Sequence, residues 1–241
     1  MSSPPPPLVL LPGMNCSPLL WGAVQSQLAK QGYAVTQVPL DGPDLVSCVE
    51  LLLDRLPPRF AIAGLSLGGI VAMALHRMAP ERVLGLGLVA TSPLPPTPAQ
   101  HESWSRTLRE LAEGMTAREV QVTLLPSLLH PDALPALREA TLDMADQVGD
   151  GALADQLRLQ STRVDERVTL PSVSVPTAVV VGDSDLLCPV ERQKLIHELV
   201  GEPSELTVLP ATGHLSPLER PDEVAGALGR WMQRVTAAVH P

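Results

Sequence analysis

The chain has 241 residues, 45% of them hydrophobic, and a formal net charge of −9, so it can bury the core of one large domain. Its acidic balance, with no lysine–arginine cluster, argues against a nucleic-acid partner, and no apolar run approaches the ~20 residues that span a bilayer. Aromatic residues make up only 2%, so core and pocket must be lined mainly by Leu, Val, Ala and Met.

The opening segment, MSSPPPPLVLLPG, has no basic residue and only a four-residue apolar run, unlike a secretion signal. Cys16, Cys48 and Cys188 are odd in number and widely spaced, with no CxxC pair. Buried free thiols and a cytoplasmic location are therefore expected. The oligomeric state is left open.

In chain order, Leu8–Leu11 reads as a buried strand ending at Pro12-Gly13. Residues 21–31 have helical spacing through Trp21, Val24 and Leu28, and residues 33–40 read as a second strand. Residues 44–56 form an amphipathic pattern that stops at Pro57-Pro58. Phe60–Leu65 is a short strand, Leu67–Met78 a helix, and residues 83–91 a strand. After a proline-rich exit, residues 100–168 carry helical patterns only. Strand character returns at 177–181 and 205–209, with helices at Val190–Val200 and 221–235. This alternation predicts an α/β fold, a mostly parallel sheet flanked by helices. The helical stretch inserted after the fourth strand reads as a cap, giving a core in two parts (1–92 and 173–241) around a cap at 93–172.

Residues 64–68, GLSLG, fit the G-x-S-x-G pattern between a strand and a helix. Such a turn holds the serine at its apex and needs glycine where strand and helix pass too closely for side chains. A serine hydroxyl becomes a nucleophile only beside a base, and that base needs an orienting carboxylate. Downstream, one predicted strand runs into Gly182-Asp183-Ser184-Asp185 and the next into Ala211-Thr212-Gly213-His214. Nucleophile, acid and base thus fall at neighbouring strand ends, in the order that the serine motif predicts.

Together, GLSLGG, GDSDLLCP and GHLSPLERPDEV resemble the α/β-hydrolase family, and its serine-nucleophile, esterase-like branch, over residues 8 to 235. The family's G-x-x-D-x-x-x-P acid loop selects Asp185 over Asp183, and its G-H-x-x-x-x-E-x-P loop selects His214. The resemblance implies a Ser66–His214–Asp185 triad. It also implies an oxyanion hole from the backbone N–H groups of Leu67 and Met14, although proline replaces the histidine usual before Gly13. It further implies a sheet of about six strands, since Leu8–Leu11 corresponds to the family's third strand. The family's R-G-x-G-x-S loop is replaced by the shorter Leu40–Asp44 segment, which is expected to open that side of the site.

The implied activity is cofactor-free hydrolysis of carboxylic esters with a small-to-medium apolar acyl group. Cleavage of a thioester, an acyl-carrier-protein ester or a carbon–carbon bond would use the same triad. A carrier-protein substrate would require Arg106, Arg109, Arg118, Arg138, Arg158 and Arg163 to cluster at the entrance. A ligand receptor with vestigial chemistry is a third reading. Met14, Trp104, Leu108 and Met115 are candidate substrate contacts, the last three equally readable as the stripe that seals a cap helix.

Gly85–Ala90 nominally fits a dinucleotide fingerprint but lies inside a strand, so no cofactor is expected. His76 reads as structural. His101, His130, His197 and His240 have no partner at metal-ligand spacing, and no metal is expected.

Overall fold

The computed structural model describes residues 4–239. Six strands form one parallel sheet in the order β2-β1-β3-β4-β5-β6. They are β1 (Leu8–Leu11), β2 (Val35–Gln37), β3 (Phe60–Leu65), β4 (Val83–Val89), β5 (Thr177–Gly182) and β6 (Ser204–Leu209). Every residue of β1, β3, β4 and β5 is buried, as expected for parallel strands covered on both faces. The edge strand β2 is half-exposed and far shorter than the 33–40 expected, its pairing limited to three residues of β1.

Alternate residues of the strands enter two separate cores. On one face Leu8, Leu10, Ala61, Ala63 and Val180 meet α1 (Gly22–Lys30) and α9 (Pro221–Val239), including Leu28, Leu228 and Trp231. On the other, Val9, Leu11, Ile62, Leu86 and Val179 meet α2 (Leu45–Arg55), α3 (Leu67–Met78) and α7 (Val190–Val200). Asp44 caps α2 by accepting the Ser47 N–H at 2.9 Å.

Between β4 and β5 the chain forms α4 (Pro98–Ala112), α5 (Ala117–Leu128) and α6 (Pro135–Ser161). Capping boxes at Thr97 and Thr116 start the first two. Gly149, at φ 76°, ψ 165°, divides α6 into two helical segments. Ala117, Val120, Ala145, Leu153 and Leu157 form a third, smaller core with Trp104, Leu108 and Met115 against it. A short helix, α8 (Ser216–Glu219), precedes α9. Among the described residues no helix is long and apolar enough to cross a membrane. His240 lies outside the described residues.

Candidate active site

The sheet order reverses between β1 and β3, and ligands of open α/β sheets bind at such a switch point, beyond the carboxyl ends of the strands. All four non-glycine residues with positive φ among those described lie at that rim: Asn15 (56°) after β1, Ser66 (53°) after β3, Ala90 (46°) after β4 and Ala211 (47°) after β6. Strained backbone concentrated on one rim is a mark of a functional site.

Ser66 joins β3 directly to α3. A Cβ on Gly64 would lie 2.1 Å from the Gly68 carbonyl carbon, so the strand and helix do cross too closely for a side chain. Gly68 and Gly69 serve other contacts. A Cβ on Gly68 would meet the Pro12 and Leu11 carbonyl oxygens at 2.6 and 2.7 Å, and one on Gly69 would meet Thr91 at 2.6 Å. The crossing therefore involves β1 and the end of β4 as well. The Ser66 N–H donates to Val89 O at 2.9 Å, and Thr91 Oγ1 donates to Ser66 O at 2.7 Å. Gln193 on α7 in turn donates to Thr91 O at 2.5 Å.

Asp185 and His214 are brought together as the motifs predict. His214 Nδ1 and Asp185 Oδ2 are 2.9 Å apart, and the two residues are 3% and 4% exposed. The other carboxylate oxygen, Oδ1, accepts the N–H groups of Leu187 and Cys188, each at 2.8 Å, which fixes the acid's rotamer. The two loops meet closely: a Cβ on Gly182 would sit 2.1 Å from Thr212 O. Asp183 is exposed and takes a turn role, accepting from Ser184 Oγ at 2.8 Å, the bond that holds its pKa below the usual carboxylate value.

Glu219, the glutamate of the histidine-loop motif, accepts the Gly213 N–H at 3.0 Å and the His130 N–H at 2.8 Å. It ties the histidine loop to the α5–α6 connection, and burial pushes its pKa up. The N–H groups of His214 and Leu215 both donate to Leu128 O at 3.0 Å, a second tie to the end of α5.

Leu67 is the first residue of α3, where a backbone N–H has no intrahelical acceptor. The Met14 N–H likewise makes no hydrogen bond among the described residues. The turn that carries Met14 is anchored by its neighbour. The Asn15 N–H donates to Gln156 Oε1 at 2.7 Å, and Asn15 Nδ2 donates to Gln121 Oε1 at 2.8 Å and Ala117 O at 3.0 Å. Helices of the insertion thus hold both the Met14 turn and the histidine loop.

Ser66 and His214 face one cavity of about 180 Å³, which also has Met14, Leu124, Leu128 and Leu215 in its wall. Trp104 lines it, whereas Leu108 and Met115 do not and pack in the third core. Cys16 and Cys188 are buried free thiols, as expected, and they also form part of the wall; burial pushes both pKa values up to about 12. Cys48 is a third buried free thiol. A separate hollow, lined by Val38, Pro39, Leu40 and Asp41, adjoins the Leu40–Asp44 segment and shares Cys16 with the first.

Of the six arginines considered for a carrier-protein patch, Arg118 is engaged by Glu139, Asp143 and Asp146, and Arg158 by Asp155. Arg163 instead lines the cavity. His76 is buried in α3, and desolvation lowers its pKa.

Sequence reasoning passed over Asn15, Gln121 and Gln156. The available signal was a polar residue on an apolar stripe: Gln121 shares the helical face of Ala117, Val120 and Leu124, and Gln156 that of Leu153 and Leu157.

Residues 8–227 match the model of the Alpha/beta hydrolase family. The chain is 28% identical over 236 residues to pimeloyl-[acyl-carrier protein] methyl ester esterase of Nitrosomonas europaea, covering 90% of this chain and 92% of that one. It is 29% identical over 206 residues to the enzyme of the same name from Shewanella woodyi, covering 81% and 79%. Among solved structures, a thermophilic esterase from Thermogutta terrifontis, with malate bound, superposes with a TM-score of 0.85 at 25% identity, covering 98% of this chain and 92% of that one. The enol-lactonase of Burkholderia xenovorans LB400, at 20% identity and a TM-score of 0.82 with 95% and 92% covered, shares the fold. With its six-stranded parallel sheet and a family match that runs from β1 into α9, the chain belongs to the alpha/beta hydrolase family.

Proposed function

We propose that this protein is a serine esterase that cleaves small carboxylic esters through an acyl-enzyme. The observation that carries this reading is the buried Asp185–His214 pair at 2.9 Å, opening on the same cavity as Ser66 at its strained strand–helix turn. Ser66 Oγ attacks the ester carbonyl while His214 Nε2 takes its proton, and Asp185 holds the tautomer and stabilises the imidazolium. The Leu67 and Met14 N–H groups stabilise the oxyanion. His214 then protonates the departing alcohol, and water, deprotonated by His214, releases the acid and regenerates Ser66 Oγ–H. No cofactor or metal enters this scheme.

In this reading residues 93–172 act as a cap that completes the cavity and braces the Met14 turn and the histidine loop. The cavity, about 180 Å³ against roughly 300–1,000 Å³ for drug-sized ligands, suits a short acyl chain beside the aliphatic wall. A second reading is demethylation of an acyl-carrier-protein ester, favoured by the name of the curated relatives. Arg118 and Arg158, each engaged by carboxylates, are less available to such a carrier.

A p-nitrophenyl ester series from acetate to decanoate tests the proposal, with activity expected to peak at short chains. Fluorophosphonate labelling that persists unchanged in Ser66→Ala would overturn the nucleophile assignment.

A further inference from the structure

The cavity wall is electrostatically lopsided. It contains Arg163, Arg192 and His214 but no aspartate or glutamate, in a protein whose net charge is −9. Arg163 is 8% exposed. Its Nε donates to Leu94 O at 3.0 Å and its Nη2 to Gln100 Oε1 at 2.9 Å, both neutral acceptors, and its guanidinium lies 5.2 Å from the Trp104 ring centroid. Nη1 makes no hydrogen bond among the described residues and keeps some accessible surface, in a residue that lines the cavity. Arg192 donates to a carbonyl, Leu187 O, at 2.9 Å. Neither arginine has an ion-pair partner among the described residues, and the acids nearest in sequence to Arg163 are engaged elsewhere: Glu166 with Arg77 and Asp165 with Arg167.

A buried cation without a counter-ion is costly, and such charges are ordinarily paired. Here desolvation, joined by repulsion from Arg192, lowers the Arg163 pKa from the ordinary arginine value. The end of the Arg163 guanidinium left over, Nη1 with the second Nη2 hydrogen, can donate to a carboxylate. An anion entering this cavity would supply the missing counter-charge.

We propose that the preferred substrate is the half-ester of a short dicarboxylic acid, its free carboxylate held by Arg163 and Arg192 while Ser66 attacks the esterified end. The proposal rests on reading Ser66 as the nucleophile of an ester hydrolase. It places the charge on the acyl part because that part stays in the site through the acyl-enzyme, after the alcohol has left. The aliphatic wall then packs the chain between the two ends. The protein's overall negative field disfavours anionic substrates, so any preference for one has to come from this local pair.

The test compares kcat/KM for monomethyl succinate, glutarate and adipate with that for neutral methyl esters of matched length, at low salt. The wild type is expected to favour the half-esters by roughly tenfold or more, and the ratio to collapse towards one in Arg163→Gln and in Arg192→Gln. Because Arg163 also ties Leu94 and Gln100, a second measurement is independent of folding of that variant. Free glutarate should inhibit the wild type competitively and raise the Tm of Ser66→Ala. A wild type that cleaves neutral esters at least as well as half-esters, and is neither inhibited nor stabilised by glutarate, would overturn the proposal and leave the esterase reading intact. If neither ester class is cleaved and fluorophosphonate labelling survives Ser66→Ala, both fall. A preference confined to methyl esters of acyl-phosphopantetheine would assign the arginines to a phosphate and also overturn the carboxylate.

Discussion

Gln121 on α5 accepts a hydrogen bond from Asn15 Nδ2 at 2.8 Å, linking the inserted helices to the turn that presents the Met14 N–H. Asn15 is fully buried at φ 56°, a conformation asparagine tolerates better than most residues, so its side chain suits the turn's shape and supplies two of its three ties to the inserted helices. Removing it in Asn15→Ala leaves Gln121 without that partner, at a cost of about 1–3 kcal/mol. In the proposed mechanism the Met14 donor acts on the transition state, so the change should also lower kcat more than it raises KM. Thermal melts and steady-state kinetics on one short-chain ester check both parts, and an unchanged kcat would detach the turn from the chemistry.

Asp185→Asn keeps the shape of the acid loop but weakens the acceptor facing His214 Nδ1 and the one bonded to the Leu187 and Cys188 N–H groups. A loss of kcat of about 10³–10⁴-fold is expected, against less than tenfold for Asp183→Asn, whose side chain is exposed. Equal losses in the two variants would contradict the assignment of the acid.

Gly64→Ala puts a methyl group 2.1 Å from the Gly68 carbonyl carbon and 2.2 Å from its oxygen, and backbone cannot yield as a side chain can. We expect insoluble protein, or a stability loss above about 3 kcal/mol, as for strained special positions and overpacking. Gly226→Ala, on α9 with nothing nearer than Arg230 at 3.6 Å, is the matched control and should fold normally. Expression and Tm distinguish them.

Burial raises the pKa of Glu219 above its ordinary 4.5, so the folded state binds its proton more tightly than the unfolded state does. The stability this contributes is fully present below about 4.5 and is lost as pH rises through the folded value. Relative to Glu219→Gln, which does not titrate, the wild-type Tm should therefore decline as pH is raised across that window. A difference between the two proteins that is flat with pH would show that the carboxylate is not desolvated in solution.

Cys16 and Cys188 line the cavity but have thiol pKa values near 12, so almost no thiolate exists at pH 8. Iodoacetamide should leave native protein unmodified and active, and label all three cysteines once the chain is unfolded. Rapid inactivation of the native protein, with label on Cys16 or Cys188, would show a thiol far more reactive than this environment allows.

The fold was legible because its signals are local. Continuous apolar runs such as Val83–Val89 announce buried parallel strands, and the glycines around Ser66 announce a turn too tight for side chains. Strand β2 was overestimated because Tyr33 and Leu40 belong to its flanks, where no neighbour continues the pairing. Leu108 and Met115 were candidates for the cavity on helical spacing, yet spacing fixes only which residues share a face, and here that face seals against α5 and α6.

By itself, then, the sequence determined the strand–helix alternation and placed the residues proposed to carry the chemistry at the strand ends, since backbone propensity and turn geometry are written in neighbouring positions. Only the tertiary structure decided what surrounds Ser66. The Asn15 tether spans 106 residues to Gln121, and the Arg163–Gln100 contact spans 63. Such contacts arise from how the inserted helices settle on the sheet, and no periodicity within one segment encodes them. That packing leaves an arginine pair without carboxylates in the wall of a cavity that composition alone described as aliphatic.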